Sequence, residues 1–378
     1  MIRLLFTNFH PFDGGGHATY FKTLIACLHG APEFELHAGV PQTSKTYQIA
    51  ISHHIPAHAL DFPGKLREFS AVINNVLKLR ALLKRIPFDI IHSNGSPDHR
   101  LVIYTLWTLP KKNRPALVLT KHNAFPVKQT WLNRVRYQKY CDHVIVVCRH
   151  LKQQFVEIQT TPNECSVIPN GVDVDTFAPE PTLSSRAALG LPEDAIIFVS
   201  CAGSGSHKGW HLLANAIAQL SPTVRQKVCC CVLGSEPTLD KKKALLIEPD
   251  MPELVFPGHQ EDVRPFLHNA DIGFVLSTSV ETISFAAREM MACGLPLLVS
   301  DYGCLADNVT PECGWVVPAN SVDALLEEVP TLLKADLKHM GQSARTRAVA
   351  EFSHQQMARK MQQLYQRLYQ MRKTASGI

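Results

Sequence analysis

Glu281 and Glu289, eight positions apart in SVETISFAAREMMACGLPLLVS, are the residues of this chain whose type and spacing most invite chemistry. Eight residues is slightly more than two helical turns, so two carboxylates at that spacing point the same way when the first lies on a loop and the second on the following helix. They would then stand at different depths of one cleft. Ala286, Ala287, Met290, Met291 and Ala292 pack such a helix tightly, and Gly294 followed by Pro296 ends it before a strand at Leu297–Ser300. Lys208, in AGSGSHKGWHLL, follows a strand and a Gly/Ser-rich loop at the start of a helix, where a point cation can neutralise phosphate charge. Gly14, Gly15 and Gly16 stand between a first strand and a helix, so the backbone there can approach a phosphate closely and offer amide donors. His122, in LTKHNAF, ends another strand. Taken singly, each has an ordinary reading: surface carboxylates, a solvated lysine, a flexible turn, a capping or core histidine.

The elements that must position these residues read clearly. Apolar runs of strand length alternate with amphipathic stretches throughout, the pattern of parallel sheets covered by helices on both faces. Leu4–Thr7, Glu35–Val40, Ile90–Ser93, Leu117–Thr120 and Val144–Val147 are expected as strands of a first domain, with helices at Ala18–Leu28, Phe69–Lys84 and Asn133–Lys139. After the Pro-rich stretch Asp175–Leu183, strands are expected near Ile196–Cys201, Val228–Leu233, Leu254–Phe256, Ile272–Leu276, Leu297–Val299 and Trp315–Val317. Helices near Trp210–Leu220, Val263–His268, Ser284–Ala292 and Val322–Leu333 separate them. The fold expected is α/β, two doubly wound parallel-sheet domains of Rossmann type facing a central cleft. Ligands in such sheets sit at the carboxyl ends of the strands, where every candidate above lies.

At 378 residues the chain exceeds the size at which one core stops growing, and its 46% hydrophobic content supplies two ordinary cores. The net charge of +5 is dispersed, with no basic run interleaved with aromatics, which argues against nucleic-acid binding and permits attraction to an anionic substrate or membrane surface. Eleven cysteines include the run Cys229-Cys230-Cys231, which reads as small buried hydrophobes on a strand in a reducing compartment, and no Cys-x-x-Cys pair suggests zinc. The N-terminus reads as a first strand rather than a signal sequence, and no apolar stretch approaches the ~18–20 residues needed to cross a bilayer. A cytoplasmic protein is expected, with peripheral contact at the inner membrane left open. Lys65–Arg85 sets Lys65, Arg67, Lys78, Arg80, Lys84 and Arg85 among apolar residues. Its ordinary reading is a domain helix with a solvated face, and its other reading is a basic amphipathic helix lying on anionic lipid. His53, His54 and His58 are expected in a solvent-facing loop.

The loop, helix and strand around Glu281 and Glu289 resemble the Glu-x7-Glu region of retaining GT-B glycosyltransferases of family 4. Ile168-Pro169-Asn170-Gly171-Val172-Asp173, with Phe177 and Pro179 behind it, resembles the family's interdomain signature, and Lys208-Gly209 its diphosphate-binding Lys-Gly. Thr120-x-His122, Asp89-x-x-His92 and the Gly14–Gly16 loop are further matches, in the family's order along nearly the whole chain.

The resemblance implies a donor domain at 173–354, an acceptor-side domain at 1–172 and a C-terminal helix, 355–378, packing back on the latter. It implies that Glu289 accepts hydrogen bonds from the nucleotide ribose, that Glu281 lies at the transferred sugar, that Lys208 stabilises the departing diphosphate, and that His122 touches the donor sugar. Gly15, Gly16, Gly209, Thr282, Ile283 and Ser284 would offer backbone to the donor. The chain departs from the pattern at Gly203, where the family usually carries an arginine, and at Thr282 and Ser284, where it often carries glycine. His207 or an arginine elsewhere is left open as a substitute for the missing cation. The donor expected is a nucleotide-diphosphate sugar, a UDP-sugar favoured, acting as co-substrate. The acceptor expected is a hydroxyl of a glycan or lipid-linked glycan such as a bacterial cell-surface polysaccharide or lipopolysaccharide. No cofactor and no metal are expected, because Asp173-Val174-Asp175 falls in the linker and Lys208 supplies the neutralising charge. A nucleotide-sugar epimerase on the same architecture and a non-catalytic nucleotide-sugar-binding protein are the alternatives.

Overall fold

The structure, a computed structural model, describes residues 1–13, 15–64, 68–157, 162, 164–180, 184–248 and 250–376. Gly14, Lys65, Arg67 and Thr182 of the sequence reading lie outside the described residues. The chain divides into two compact units, Met1–Gly171 with His354–Ile378, and Val172–Ser353.

The first unit runs β1 (Ile2–Thr7), α1 (Gly16–His29), β2 (Phe34–Val40), α2 (Lys45–Ser52), β3 (Ala57–Ala59), α3 (Phe69–Arg85), β4 (Ile90–Ser93), α4 (Ser96–Trp107), β5 (Ala116–Lys121), α5 (Trp131–Gln138), β6 (His143–Val146), α6 (Arg149–Glu157) and β7 (Cys165–Val167). The second runs β8 (Ile196–Ser200), α7 (Trp210–Gln219), α8 (Pro222–Arg225), β9 (Val228–Val232), α9 (Leu239–Ala244), β10 (Leu254–Val255), α10 (Arg264–His268), β11 (Ile272–Val275), α11 (Phe285–Ala292), β12 (Leu297–Ser300), β13 (Gly314–Val317), α12 (Val322–Leu332) and α13 (Leu337–Phe352). The last helix, α14 (His354–Ser376), returns to the first unit. Met357, Met361, Leu364 and Leu368 are buried along it, and the Tyr365 hydroxyl meets His92 Nδ1 at 2.6 Å.

All strand pairs are parallel, in the orders β3-β2-β1-β4-β5-β6-β7 and β10-β9-β8-β11-β12-β13. Each order reverses once, between β1 and β4 in the first sheet and between β8 and β11 in the second. Connections leave in opposite directions from those points, so each sheet has a crevice at the carboxyl ends of its two central strands. Both faces of each sheet are covered, which is why strands such as β9 are apolar at every position rather than alternating. Cys230 faces one side of that sheet, with Trp210 and Phe274; Cys229 and Cys231 face the other, with Met290 and Met291. All three thiols are fully buried.

Two expectations need correction. His58 is not on a solvent-facing loop: β3 pairs with β2 and sets the His58 ring stacked on His37, with Nε2 3.0 Å from His37 Nδ1. Burial, with His37 and Arg85 adding like charge, lowers His58 to a pKa of about 4. Helices α2, α4, α6, α8 and α9 were not anticipated, nor was the long α13 at 337–352.

Candidate functional site

In the second unit the switch-point crevice is built from the loops after β8 and β11. The chain leaves β8 through Ser204 and Gly205, makes one 3-10 turn at Ser206–Lys208, and enters α7 at Gly209 with φ +73. A Cβ at Gly209 would stand 1.8 Å from the Leu276 carbonyl oxygen, so only glycine allows the turn to sit against the loop after β11. That loop is held in return by the Thr278 amide donating to the His207 carbonyl at 2.9 Å. The Trp210 indole, wholly buried, donates to the Ser204 carbonyl at 2.9 Å and fixes the other end.

This packing brings Lys208 and Glu281 together. Lys208 Nζ donates to Glu281 Oε2 at 2.8 Å, the Ser277 hydroxyl donates to the same oxygen at 3.3 Å, and the Thr282 amide donates to Oε1 at 3.0 Å. The pair is largely enclosed, with side-chain exposures of 20% and 10%. Gly303 packs so closely on this segment that a Cβ there would meet the Glu281 carbonyl at 2.5 Å, and the Tyr302 hydroxyl accepts from the Val280 amide. Neither Ser277 nor the Tyr302-Gly303 support was read from the sequence. A serine or a glycine after a strand carries no distinctive signal until the strand order is known.

Glu289 stands on α11 and Glu281 on the loop before it, as the eight-residue spacing predicts. Glu289 keeps some exposed surface, yet the protein around it is dense enough that desolvation pushes its carboxyl up to about 7. Its polar neighbour is the Cys201 thiol, 3.9 Å from Oε2. Ser284 caps α11, its hydroxyl accepting from the Ala287 amide, and holds φ +51, the left-handed region that glycine adopts at less cost. Asn308 braces both sides of this turn: its Nδ2 donates to the Ile283 carbonyl at 2.7 Å and its Oδ1 accepts from Arg288 Nε at 3.0 Å. At Gly203, φ is +88 and a Cβ would meet nothing within 4 Å, so the position usually filled by the family's arginine opens on free space. His207 is a poor replacement cation, because burial and the Lys208 charge both lower its pKa.

In the first unit the crevice lies at the ends of β1, β4 and β5. Gly15, with φ +48, precedes α1, and Gly16 is its first residue. His122 Nε2 lies 3.2 Å from Asn94 Oδ1, and its ring packs 4.5 Å from Tyr20 and 4.6 Å from His17, which packs 4.5 Å from His10. Burial first, and the neighbouring imidazoles second, lower His17 to about 3 and hold His122 well below its usual value. Asn8 Nδ2, His10 Nε2 and His17 Nδ1 are buried without a partner among the described residues. Beneath them Asp98 accepts from Thr7 Oγ1 at 2.8 Å and the Asn94 amide at 2.7 Å, and burial pushes it up to about 7. His92 is a core residue, bonded to Thr120 and Tyr365. Asp89 caps the far end of the sheet, accepting from the Arg3 amide. His10 and His17 escaped the sequence reading because His122, the ring they join, stands more than a hundred residues further along the chain.

A glycosyltransferase family 4 model matches residues 14–176, and a glycosyl transferases group 1 model matches residues 182–347. The chain belongs to the group 1 glycosyltransferases. Among curated relatives, a D-inositol 3-phosphate glycosyltransferase of Kribbella flavida is 25% identical over 292 residues, covering 70% of this chain and 66% of that protein. A UDP-Gal:alpha-D-GlcNAc-diphosphoundecaprenol alpha-1,3-galactosyltransferase of Escherichia coli is 23% identical over 329 residues, 80% of this chain and 82% of that protein. A glycosyltransferase crystal structure from Rickettsia africae superposes with a TM-score of 0.79 at 16% identity, covering 97% of this chain and 98% of that one. That likeness is one of fold, GT-B, with two parallel-sheet α/β domains.

Proposed function

We propose that this glycosyltransferase moves a sugar from a nucleotide-diphosphate donor, a UDP-sugar, to a hydroxyl of a glycan or lipid-linked glycan with retention of anomeric configuration. The observation that carries the reading is the enclosed Lys208–Glu281 pair at a switch point, with Glu289 on the next helix. Lys208 stands where a β-phosphate can displace Glu281 from its ammonium. The released Glu281 carboxylate and the Thr282 amide then become available to sugar hydroxyls and phosphate oxygens. Glu289, with the Cys201 thiol beside it, takes the ribose hydroxyls.

Charge builds on the diphosphate as the glycosidic bond breaks, and a fixed ammonium in an enclosed site stabilises that charge more than it stabilises the intact donor. The diphosphate oxygen leaving that face accepts the acceptor proton, so no protein nucleophile and no metal are needed. His122, neutral and held by Asn94, offers a hydrogen bond to the donor sugar without bringing a second cation. Gly15 and Gly16 offer backbone amides at the start of α1. The E. coli relative's name describes a UDP-sugar donor and a polyprenol-linked acceptor, which supports that substrate class and peripheral membrane contact for this chain. Among the described residues no helix is long and apolar enough to cross a membrane.

The test is a thermal-shift screen of nucleotide sugars, since a ligand bound to the folded state raises its melting temperature by mass action. UDP and one UDP-sugar should stabilise the protein most. Stabilisation by no nucleotide diphosphate would remove the reading.

A further inference from the structure

On the opposite edge of the first sheet from the candidate site, at the amino ends of β4 and β5, lies a cavity of about 770 Å³. Six cations line it: Arg80 and Lys84 of α3, Lys112 and Arg114 of the loop before β5, and Arg372 and Lys373 of α14. Arg372 pairs with Asp142, but the other five form no ion pair among the described residues. Arg80 Nε is buried with no hydrogen-bond partner among the described residues. Among the described lining residues the one carboxylate, Asp89, accepts from the Arg3 amide. Three separate elements have thus placed an excess of positive charge around one concavity: Arg80 and Lys84 belong to the basic helix read from the sequence, and the fold adds the other four.

A second concavity follows along α3, between it and α4. Phe69, Ile73 and Leu77 stand four residues apart on α3, and Tyr104 and Trp107 three apart on α4, around an apolar groove of about 560 Å³. These five side chains are 41–65% exposed. Four-residue spacing puts the α3 residues in one stripe, and the stripe passes into Arg80 and Lys84 at the helix's C-terminal end. Aromatic side chains beside aliphatic ones, with cations at the margin, match the boundary between lipid headgroups and acyl chains.

We propose that this face of the first unit docks on an anionic phospholipid surface, with lipid phosphates at the Arg80–Lys84–Arg114–Lys373 pocket and the α3–α4 stripe inserted among the acyl chains. A second copy of the chain would bring the same cations against themselves, so charge complementarity selects the lipid. The proposal deepens the lipid-linked acceptor reading and rests on it for its purpose, while its test needs no turnover.

The full chain is sedimented with vesicles of phosphatidylcholine containing phosphatidylglycerol, and with vesicles of phosphatidylcholine alone. The parent should bind the anionic vesicles, bind the neutral ones at least about tenfold more weakly, and be released by salt. The triple variant Lys84→Glu, Lys112→Glu, Lys373→Glu should lose about 100-fold or more in affinity for anionic vesicles. The variant Phe69→Ser, Trp107→Ser should lose about tenfold, because both side chains are exposed and their role is insertion. Unchanged melting temperature and unchanged UDP binding show that each variant is folded, and they separate failure of docking from failure of the transferase reading. Equal binding of parent and triple variant, or no binding of the parent at low salt, overturns the proposal. So does stabilisation of the parent by inorganic phosphate without vesicle binding, which would make the cavity a site for a soluble anion.

Discussion

At the carboxyl end of β1 the first unit gathers three imidazole rings that burial holds neutral, whereas at the carboxyl end of β8 the second gathers an ammonium and two carboxylates. Both crevices sit at the point where strand order reverses, so the same topology serves opposite electrostatics. Neutral rings with unmet nitrogens can bond hydroxyl groups without the desolvation cost of a buried charge. A paired ammonium keeps its charge under cover until a stronger anion arrives. The lesson is that a switch point fixes where a ligand goes, and the residues set on it decide whether that ligand is met by dipoles or by ions.

The contrast extends to the backbone, where the largest effect is expected. Gly209→Ala forces a Cβ to within 1.8 Å of the Leu276 carbonyl oxygen at a positive φ, and should destabilise the protein by about 3 kcal/mol or more. Gly15→Ala also carries a positive φ but meets nothing within 4 Å, and should cost about 1 kcal/mol. Equal losses in thermal unfolding would mean that the two glycine turns are under the same constraint and that the second is no more tightly built.

Next in size is Glu289→Ala, which should weaken UDP binding by roughly tenfold to 150-fold, the equivalent of one charge-assisted hydrogen bond of about 1.5–3 kcal/mol. His17→Ala, which alters the neutral crevice, should leave UDP binding within about twofold and is the smallest effect expected. A His17 variant that loses UDP binding as severely as the Glu289 variant would erase the division of labour between the crevices.

Between these lies a pH effect. Glu289 titrates near 7 in the folded protein and near ~4.3 when unfolded, a raised value. Its contribution to stability is therefore complete below about pH 4 and is lost as pH rises through about 7. Glu289→Gln, which cannot ionise, should gain stability over the parent on the order of 1–2 kcal/mol at pH 8, with no gain at pH 4, once partial exposure is allowed for. Because ribose hydroxyls bind the ionised form, UDP affinity of the parent should also fall as pH drops below about 7. A flat profile across that range would show Glu289 to be uninvolved in nucleotide binding.

How much of this was legible in the sequence differs by element, for physical reasons. Strands β8 and β11 are buried almost throughout, and their near-continuous apolar runs, IIFV and IGFV, announce them. The edge strands β3 and β7 have three residues each, too few for any period to show. Helix α13 hid because the residues it buries are mostly small: Gly341, Ala344 and Ala348, with Phe352 at its end. A Cβ at Gly341 would stand 2.1 Å from the Gly294 carbonyl, so the helix docks by close backbone approach instead of by a leucine stripe. At the candidate site, the carboxylate spacing and the Lys-Gly pair could be read because they lie in short segments. The meeting of His122 with His10 and His17, and of Arg80 and Lys84 with the other four cations, could not, since only the fold brings those segments together.

The central claim is that Lys208 acts on a departing diphosphate, and it is tested most directly by measuring Lys208→Ala twice, for UDP affinity and for turnover of the UDP-sugar that best stabilises the parent. Turnover, followed as transfer or as donor hydrolysis, should fall roughly 100- to 1000-fold, toward the upper end because Gly203 provides no second cation, while UDP affinity falls much less. A folded variant whose turnover stays within a few-fold of the parent would contradict the account, as would one whose UDP affinity falls as far as its turnover.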